Sequence, residues 1–180
     1  MTLEQAPFDA QPMLAGATVL LAPLTADDWE ELYAAASDPL IWAGHPAHDR
    51  WQKPVFARFF ADALASGGAL AIRDRASGAI IGSSRYDQSR VEPGEVEIGW
   101  TFLARQYWGD GTNRAVKTLM IAHALRWFGS AVFYIGQDNI RSRRAMEKIG
   151  AELLAGRSII FDMANRPIAH VVYAMRQPPL

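Results

Sequence analysis

The chain has 180 residues, half of them hydrophobic, and this size suits one domain with a single core. It has no cysteine, which excludes disulfides, thiolate metal sites and a cysteine acyl-enzyme. Its net charge of −1 provides no basic field, so we expect no nucleic-acid partner.

The N-terminal segment contains two prolines, Pro7 and Pro12, and lacks a basic start followed by an apolar run. It predicts an extended arm over residues 1–16, not a signal peptide or a membrane span. Residues 17–177 are expected to form the single domain. We therefore expect a cytoplasmic protein with no membrane partner.

The N-terminal third of the domain alternates between strand and helix patterns. Residues 18–24 are apolar and β-branched, which predicts a short first strand. The sequence Thr25-Ala-Asp-Asp is typical of a helix N-terminus, and a helix is expected from there to about Asp38. A second helix should span residues 53–66, before a pair of glycines.

The loop between these helices, residues 40–51, is rich in aromatic and titratable side chains. His45 and His48 could line an acceptor pocket, or the loop could simply pack its aromatic residues onto the core. A metal site built on these histidines and Asp49 is not expected, because no zinc-ligand spacing is present.

Three strands follow in sequence. Residues 69–73 and 79–86 predict an antiparallel hairpin, and residues 95–102 predict the next strand. The alternating pattern of this last strand predicts two faces. One face would have Val96, Ile98, Trp100 and Phe102, and the other Glu95, Glu97, Gly99 and Thr101. Two carboxylates would then share a face with a glycine.

A glycine-rich turn, residues 106–113, joins this strand to a long helical pattern. Gly109 and Gly111 allow the backbone to turn with φ > 0 and to approach a ligand. Thr112 and Asn113 are expected to cap the helix, whose free N–H groups would attract an anion. The turn fits neither a P-loop nor a dinucleotide-binding fingerprint, because their further residues are missing.

The C-terminal half continues with alternating elements. The helical pattern runs over residues 112–128, and residues 131–136 predict a buried strand. A further helix is expected over residues 139–149. Residues 151–161 and 168–175 should close the sheet as a pair of strands.

Two motifs resemble those of the GCN5-related N-acetyltransferases (GNAT), in the order and spacing of that superfamily. Gln106-Tyr-Trp-Gly-Asp-Gly resembles the Gln/Arg-x-x-Gly-x-Gly/Ala loop that wraps the pyrophosphate of acetyl-CoA. Asn139-Ile-Arg-Ser-Arg-Arg-Ala-Met-Glu-Lys-Ile-Gly-Ala resembles a helix of the ribosomal-protein-alanine N-acetyltransferase-like (RimJ/RimL-type) branch. The resemblance extends from Val19 to Tyr173.

The resemblance implies an α/β fold with a mixed, mainly antiparallel sheet flanked by helices on both faces. It implies that acetyl-CoA is the co-substrate, that no metal is needed and that the acetyl group passes directly to an amine. The acceptor could be a protein N-terminus or a small-molecule amine, and the protein could be a homodimer. The alternative is a non-catalytic acyl-CoA-binding module with a degenerate acceptor site.

The resemblance also implies three groups of cofactor-binding residues. The strand contributes Trp100, Thr101 and Phe102, whose backbone would pair with the pantetheine arm and stabilise an oxyanion. The turn and the helix start contribute Gln106, Trp108, Gly109, Asp110, Gly111, Thr112 and Asn113. The second motif contributes Asn139 and Ser142.

An amine acceptor is mostly protonated at pH 7, so some group must accept a proton before attack. Glu97 is expected to be this catalytic base, with Glu95 as the second choice. The alternative for Glu97 is a structural ion pair with Arg85 or Arg90 on a neighbouring strand.

The departing thiolate needs only modest acid assistance, because a thiol pKa is about 8.5. Ser142 or an ordered water could supply it. Many members of the superfamily have an acidic tyrosine in the second motif, where this chain has Met146. Tyr134 could substitute, but a tyrosine on a buried strand is more often a packing residue.

Overall fold

The computed structural model describes residues 6–163 and 165–179, so the first five residues of the predicted arm lie outside this part. Within it, eight strands form a single mixed sheet with helices on both faces, which confirms the predicted fold class. The strands are Leu14–Ala15 (β1), Val19–Pro23 (β2), Ala69–Asp74 (β3), Ile80–Asp87 (β4), Glu95–Leu103 (β5), Ser130–Gly136 (β6), Glu152–Met163 (β7) and Arg166–Met175 (β8). The helices are Trp29–Ala36 (α1), Pro39–Trp42 (α2), Lys53–Ala65 (α3), Thr112–Ala124 (α4) and Ile140–Lys148 (α5).

The strands lie in the order β1-β2-β3-β4-β5-β6-β8-β7. Neighbours are antiparallel except β5 and β6, which pair in parallel at the centre of the sheet. The helix α4 connects these two central strands. No helix in the described ranges is long and apolar enough to span a membrane.

The sheet separates two hydrophobic cores. One core packs α4 and α5 against the sheet, with Val96, Ile98 and Met120 fully buried in it. The other packs α1, α2 and α3 on the opposite face, around Trp42 and Phe56. Each helix buries its apolar side against the sheet, as amphipathic helices do.

Local capping accounts for the helix boundaries of the N-terminal third. Thr25 and Asp28 form a capping box, in which the Thr25 N–H donates to the Asp28 carboxylate at 2.8 Å. A 3-10 turn precedes α1 as a result. The short helix α2, which was not predicted, begins at Pro39 because the Asp38 carboxylate accepts the Leu40 N–H at 2.9 Å.

The predicted alternation of β5 is wrong after Ile98, because the strand contains a β-bulge. Trp100 has φ +51, and the register between β4 and β5 shifts between Ser83 and Arg85. The extra residue reverses the faces. Trp100 and Phe102 therefore pack on the α1–α3 side, opposite to Ile98.

The described part of the arm packs on the body of the protein. Phe8 lies against the rings of Tyr86, His123, Trp127 and Phe128, with centroid distances of 4.9 to 5.6 Å. The backbone carbonyls of two other arm residues accept hydrogen bonds from the side chains of His123 and Trp127. The arm therefore closes the end of the core beside α4.

We predict that Phe8→Ala lowers the free energy of unfolding by about 2 kcal/mol, because it removes a partly buried ring from an aromatic cluster. Met13→Ala is the matched control, since this side chain in the same arm is 64% exposed. The control should change stability by less than about 0.5 kcal/mol. Urea denaturation measures both, and equal effects would contradict the packing role of Phe8.

Candidate functional site

The site lies where the two central strands separate. β5 and β6 pair only over Glu95–Glu97 and Ser130–Val132, after which both strands continue without pairing to each other. The bulge at Trp100 lies in this unpaired part of β5. Backbone groups that a neighbouring strand would normally use are thereby left for another partner.

A cleft of about 870 Å³ opens beside this gap. Its walls come from α2, the end of β5, the glycine turn, the first turn of α4 and the helix α5. Four cationic side chains line it, namely Arg114, Arg141, Arg144 and Lys148. The cleft therefore suits a ligand with several negative charges.

The glycine turn has the backbone that its sequence predicts. Gly109 has φ +80 and Gly111 has φ +94, and both line the cleft. The predicted capping by Thr112 and Asn113 is wrong: Gly111 is the N-cap, and Thr112 is the first residue of the helix. The Asp110 carboxylate accepts the Thr112 N–H at 2.9 Å, because it lies beside the free N–H groups of the helix end.

The predicted cofactor residues fall into three groups in the structure. Those that line the cleft are Thr101, Phe102, Trp108, Gly109, Gly111, Asn113 and Ser142. Those that line only an adjoining smaller cavity are Trp100 and Asn139. Those that are not among the lining residues of either cavity are Gln106, Asp110 and Thr112.

The smaller cavity, of about 140 Å³, lies between the separated strands. Five residues line both cavities, namely His45, Thr101, Asn113, Ser142 and Ala145. The two spaces are therefore adjacent. A ligand that extends from the cleft towards the gap would meet the bulge of β5 at this junction.

A buried lysine lies at this junction and was missed from the sequence. Lys117, on α4, is 3% exposed, and its Nζ donates to Thr101 Oγ1 at 2.7 Å. Within the described chain it has no carboxylate partner, and burial lowers the pKa of Lys117 to about 7. The signal in the sequence was a lysine on the apolar face of the helix, four residues after Asn113.

The two candidate base carboxylates have different surroundings. Glu97 is almost fully buried over Gly99 and accepts hydrogen bonds from Arg90 at 2.7 and 2.8 Å. Burial raises the pKa of Glu97, while Arg90 opposes this shift. Glu95 pairs with Arg157 at 2.7 and 2.8 Å, and these hydrogen bonds lower the pKa of Glu95.

The side chains of the second motif begin α5. Asn139 Oδ1 accepts the Ser142 N–H at 3.3 Å, so Asn139 is the N-cap of the helix. Ser142 lies at the junction of the cavities. The hydroxyl of Tyr134 donates to the carbonyl of Arg90 at 3.1 Å, so it has a structural partner.

One of the two loop histidines faces the cavities. His45 lines both, whereas His48 is exposed and is not among their lining residues. Burial lowers the pKa of His45 to about 3, so the ring is neutral at pH 7. Its Nδ1 accepts the Ala47 N–H at 2.9 Å, which leaves the proton on Nε2. No group of three potential metal ligands occurs within the described ranges.

Comparisons with known proteins agree with this geometry. A family model described as an acetyltransferase (GNAT) domain matches residues 18–152. No curated protein sequence matches the chain significantly.

Three solved structures illustrate the shared fold. A GCN5-related N-acetyltransferase from Brucella melitensis is 19% identical with a TM-score of 0.79, covering 92% of this chain and 79% of its own. A Vibrio cholerae protein assigned as a ribosomal-protein-serine acetyltransferase is 14% identical with a TM-score of 0.75, and the match covers 94% of this chain and 99% of the Vibrio chain. The microcin C7 self-immunity acetyltransferase MccE, solved with acetyl-CoA and AMP, is 13% identical with a TM-score of 0.70, covering 93% and 98%.

We predict a pH-dependent stability that is specific to Lys117. The pKa of Lys117 is about 7 in the folded protein, against an ordinary value of 10.5. Between these two pH values, Lys117 is protonated in the unfolded chain but largely unprotonated in the folded protein. Stability should therefore rise with pH in this window by about 1 kcal/mol per unit. Denaturation from pH 7.5 to 9.5 should show this rise relative to Lys117→Met.

The exposed Lys148 supplies the control for this experiment. The difference between wild type and Lys148→Met should not change over the same pH range, because the exposed Lys148 side chain is in contact with water in the folded and in the unfolded chain. A pH-independent difference between wild type and Lys117→Met would contradict the lowered pKa of Lys117.

Proposed function

Because the chain belongs to the GNAT acetyltransferase family, we propose that it is an acetyl-CoA-dependent N-acetyltransferase that transfers the acetyl group directly to an amine. The observation that carries this proposal is the glycine turn before α4, which opens onto a cationic cleft that adjoins the gap between β5 and β6. In this proposal, the glycine turn would bind the phosphates, the cleft would hold the cofactor, and the unpaired edge of β5 would pair with it.

In this proposal, the cleft would bind the charged part of the cofactor. The pyrophosphate would lie at Gly109 and Gly111, where the backbone can approach it and the helix end attracts negative charge. Arg114, Arg144 and Lys148 would neutralise the remaining phosphate charge. The pantetheine arm, which carries amide groups, would pair with the free backbone of β5.

The transfer step would take place at the junction of the cavities. The amine nitrogen attacks the thioester carbonyl carbon, the carbon–sulfur bond breaks, and CoA leaves as a thiolate. Backbone N–H groups at the bulge would stabilise the oxyanion. Ser142, which lines both cavities, would donate to the thiolate.

Glu97 is the proposed acceptor of the amine proton, directly or through a water. It lies on the α1–α3 side beside the bulge, with its carboxylate over Gly99. Both carboxylates accept two hydrogen bonds from an arginine, but the bonds from Arg157 lower the pKa of Glu95, whereas burial raises the pKa of Glu97. Glu95 is therefore the weaker base and the less suited of the two. The acceptor classes proposed are small-molecule amines and protein N-termini.

Release of free CoA with a panel of amines tests the proposal. We expect turnover that depends on both acetyl-CoA and the amine. Acetyl-CoA binding without CoA release from any amine or peptide would instead support a non-catalytic acyl-CoA-binding module.

We predict that Gly111→Ala weakens acetyl-CoA binding at least tenfold, about 1.4 kcal/mol or more. The added Cβ would enter the cleft, where it meets nothing within 4 Å in the protein but would meet the cofactor. Gly78→Ala is the matched control, because Gly78 also has positive φ and open space but lies in a remote turn. Calorimetry on both variants would contradict the phosphate assignment if their affinities were equal.

We predict that Glu97→Gln lowers kcat by about 10²–10⁴-fold while acetyl-CoA affinity stays level, because glutamine cannot accept the proton. Arg90→Gln separates this role from that of a structural ion pair. Without Arg90 the pKa of Glu97 should rise, since Arg90 opposes the effect of burial. The rising limb of the pH–rate profile should then move to higher pH, with activity retained above it.

Glu97→Gln and Arg90→Gln together distinguish a catalytic role of Glu97 from a purely structural one. If Glu97 served only to hold Arg90, Arg90→Gln would reproduce the full loss of Glu97→Gln at every pH. That result, or normal turnover of Glu97→Gln, would remove Glu97 from the proposed mechanism.

A further inference from the structure

Two arginines lie near the gap, and one of them is buried without the hydrogen-bond partners that buried cations normally have. Arg85, on β4, is 6% exposed, and its Nε and Nη2 are buried without a hydrogen-bond partner. Arg50, in the loop before α3, is half-buried, and within residues 6–163 and 165–179 its guanidinium makes ring contacts but no hydrogen bond or ion pair. Buried polar groups are nearly always paired, so the two unpaired nitrogens of Arg85 call for an explanation, and Arg50 is a second cation beside them.

The two guanidinium groups share one aromatic surface. The Cζ atom of Arg50 lies 4.6 Å from the ring centroid of Phe59, and that of Arg85 lies 5.9 Å from it. Arg50 also lies over Trp42 at 5.2 Å, and Arg85 over Trp100 at 4.5 Å. These rings orient the guanidinium planes but cannot accept their N–H groups as a carboxylate would.

Nearby carboxylates do not neutralise this pair. Asp62, Asp87 and Glu97 act on Arg85 electrostatically, but none of them forms an ion pair with it. Both carboxylate oxygens of Glu97 accept hydrogen bonds from Arg90 instead. Burial lowers the pKa of Arg50 to about 10, and the charge of Arg85 adds to this shift. Asp49 opposes the shift electrostatically but forms no ion pair with the Arg50 guanidinium within the described residues. The two cations therefore repel each other, and an anion between them would relieve this repulsion.

Neither arginine is among the lining residues of the cavities, but both contact or pair with residues that are. Arg85 lies directly opposite Gly99 in the β4–β5 register, and Gly99 lines the smaller cavity. Trp100, the bulge residue that contacts Arg85, lines the same cavity, and Trp42 beneath Arg50 lines the larger cleft. All three rings pack on the α1–α3 side of the sheet.

We propose that the acceptor is a small amine that carries a carboxylate or phosphate group, which binds between Arg50 and Arg85. This inference rests on the proposed function, since it assigns the acceptor of the same site. Arginine suits the role because its planar N–H fork matches the oxygens of carboxylates and phosphates. The burial of the Arg85 nitrogens favours a compact anion over a protein chain.

Matched amines test the proposal through CoA release. The pairs are 4-aminobutyrate against butylamine, and 3-aminopropyl phosphate against 3-aminopropanol. We expect kcat/KM for at least one anionic member to exceed that for its neutral partner at least tenfold. A preference confined to one pair identifies the group as carboxylate or phosphate.

Variants connect the preference to the two arginines. Arg85→Gln and Arg50→Gln should each reduce the anionic-to-neutral ratio to near one, whereas Arg58→Gln, an exposed arginine on α3, should retain it. Because Arg50 is only half-buried, its variant provides the test if Arg85→Gln does not fold. An unchanged ratio in folded Arg50→Gln would overturn the proposal.

A binding measurement gives a readout that does not depend on turnover. With CoA present to fill the proposed cofactor cleft, at least one of 4-aminobutyrate and 3-aminopropyl phosphate should raise the Tm of the wild type and of Arg58→Gln but not of Arg50→Gln. Equal shifts in all three proteins would overturn the proposal.

The same assays separate this inference from the proposed function. If neutral amines or uncharged peptides react better than every anionic amine, the anion site is wrong while N-acetyl transfer stands. If no amine releases CoA but the Arg50-dependent Tm shift is present, N-acetyl transfer fails and the anion site stands.

Discussion

The β-bulge at Trp100 is the constraint on which the site depends. Trp100 has φ +51, an uncommon value for a residue with a large side chain, and such a conformation persists only where the surrounding structure holds it. Contacts from Arg85 and Arg90 to its ring provide that support, at 4.5 and 4.6 Å. The bulge lies where β5 and β6 stop pairing, so its backbone is available to a ligand.

The bulge also determines which side chains meet on each face. Because it adds one residue, Thr101 returns to the α4 side and meets Lys117, while Trp100 joins Glu97 and Arg85 on the opposite side. A strand without the bulge would have put Thr101 with Glu97, as the simple alternation predicts. The extra residue thus puts Glu97, the candidate proton acceptor, and Lys117, which interacts with Thr101, on opposite sides of the sheet.

Local patterns predicted much of this architecture. The glycine turn and the second motif carry information in consecutive residues, so their predicted residues include several that line the cationic cleft. The bulge could not, because no glycine marks the positive φ and the alternation of β5 continues through it. The pairing of Glu97 with Arg90 was foreseeable only as one of several options, since tertiary packing decides which neighbour an arginine reaches. The lack of partners at Arg50 and Arg85 is likewise invisible in sequence.

The two sides of the gap have different kinds of cationic side chain. On the α4 side the cation is Lys117, whose lowered pKa allows it to lose its proton near neutrality and so to avoid the cost of burial. On the α1–α3 side the cations are arginines, which keep their charge at any physiological pH. The permanent charge of Arg85, with two buried nitrogens that have no hydrogen-bond partner, is what favours the proposed anionic acceptor on this side. Between these two sides, the sheet opens where β5 leaves β6, so the gap connects the surroundings of Lys117 with the bulge residue Trp100 that Arg85 contacts.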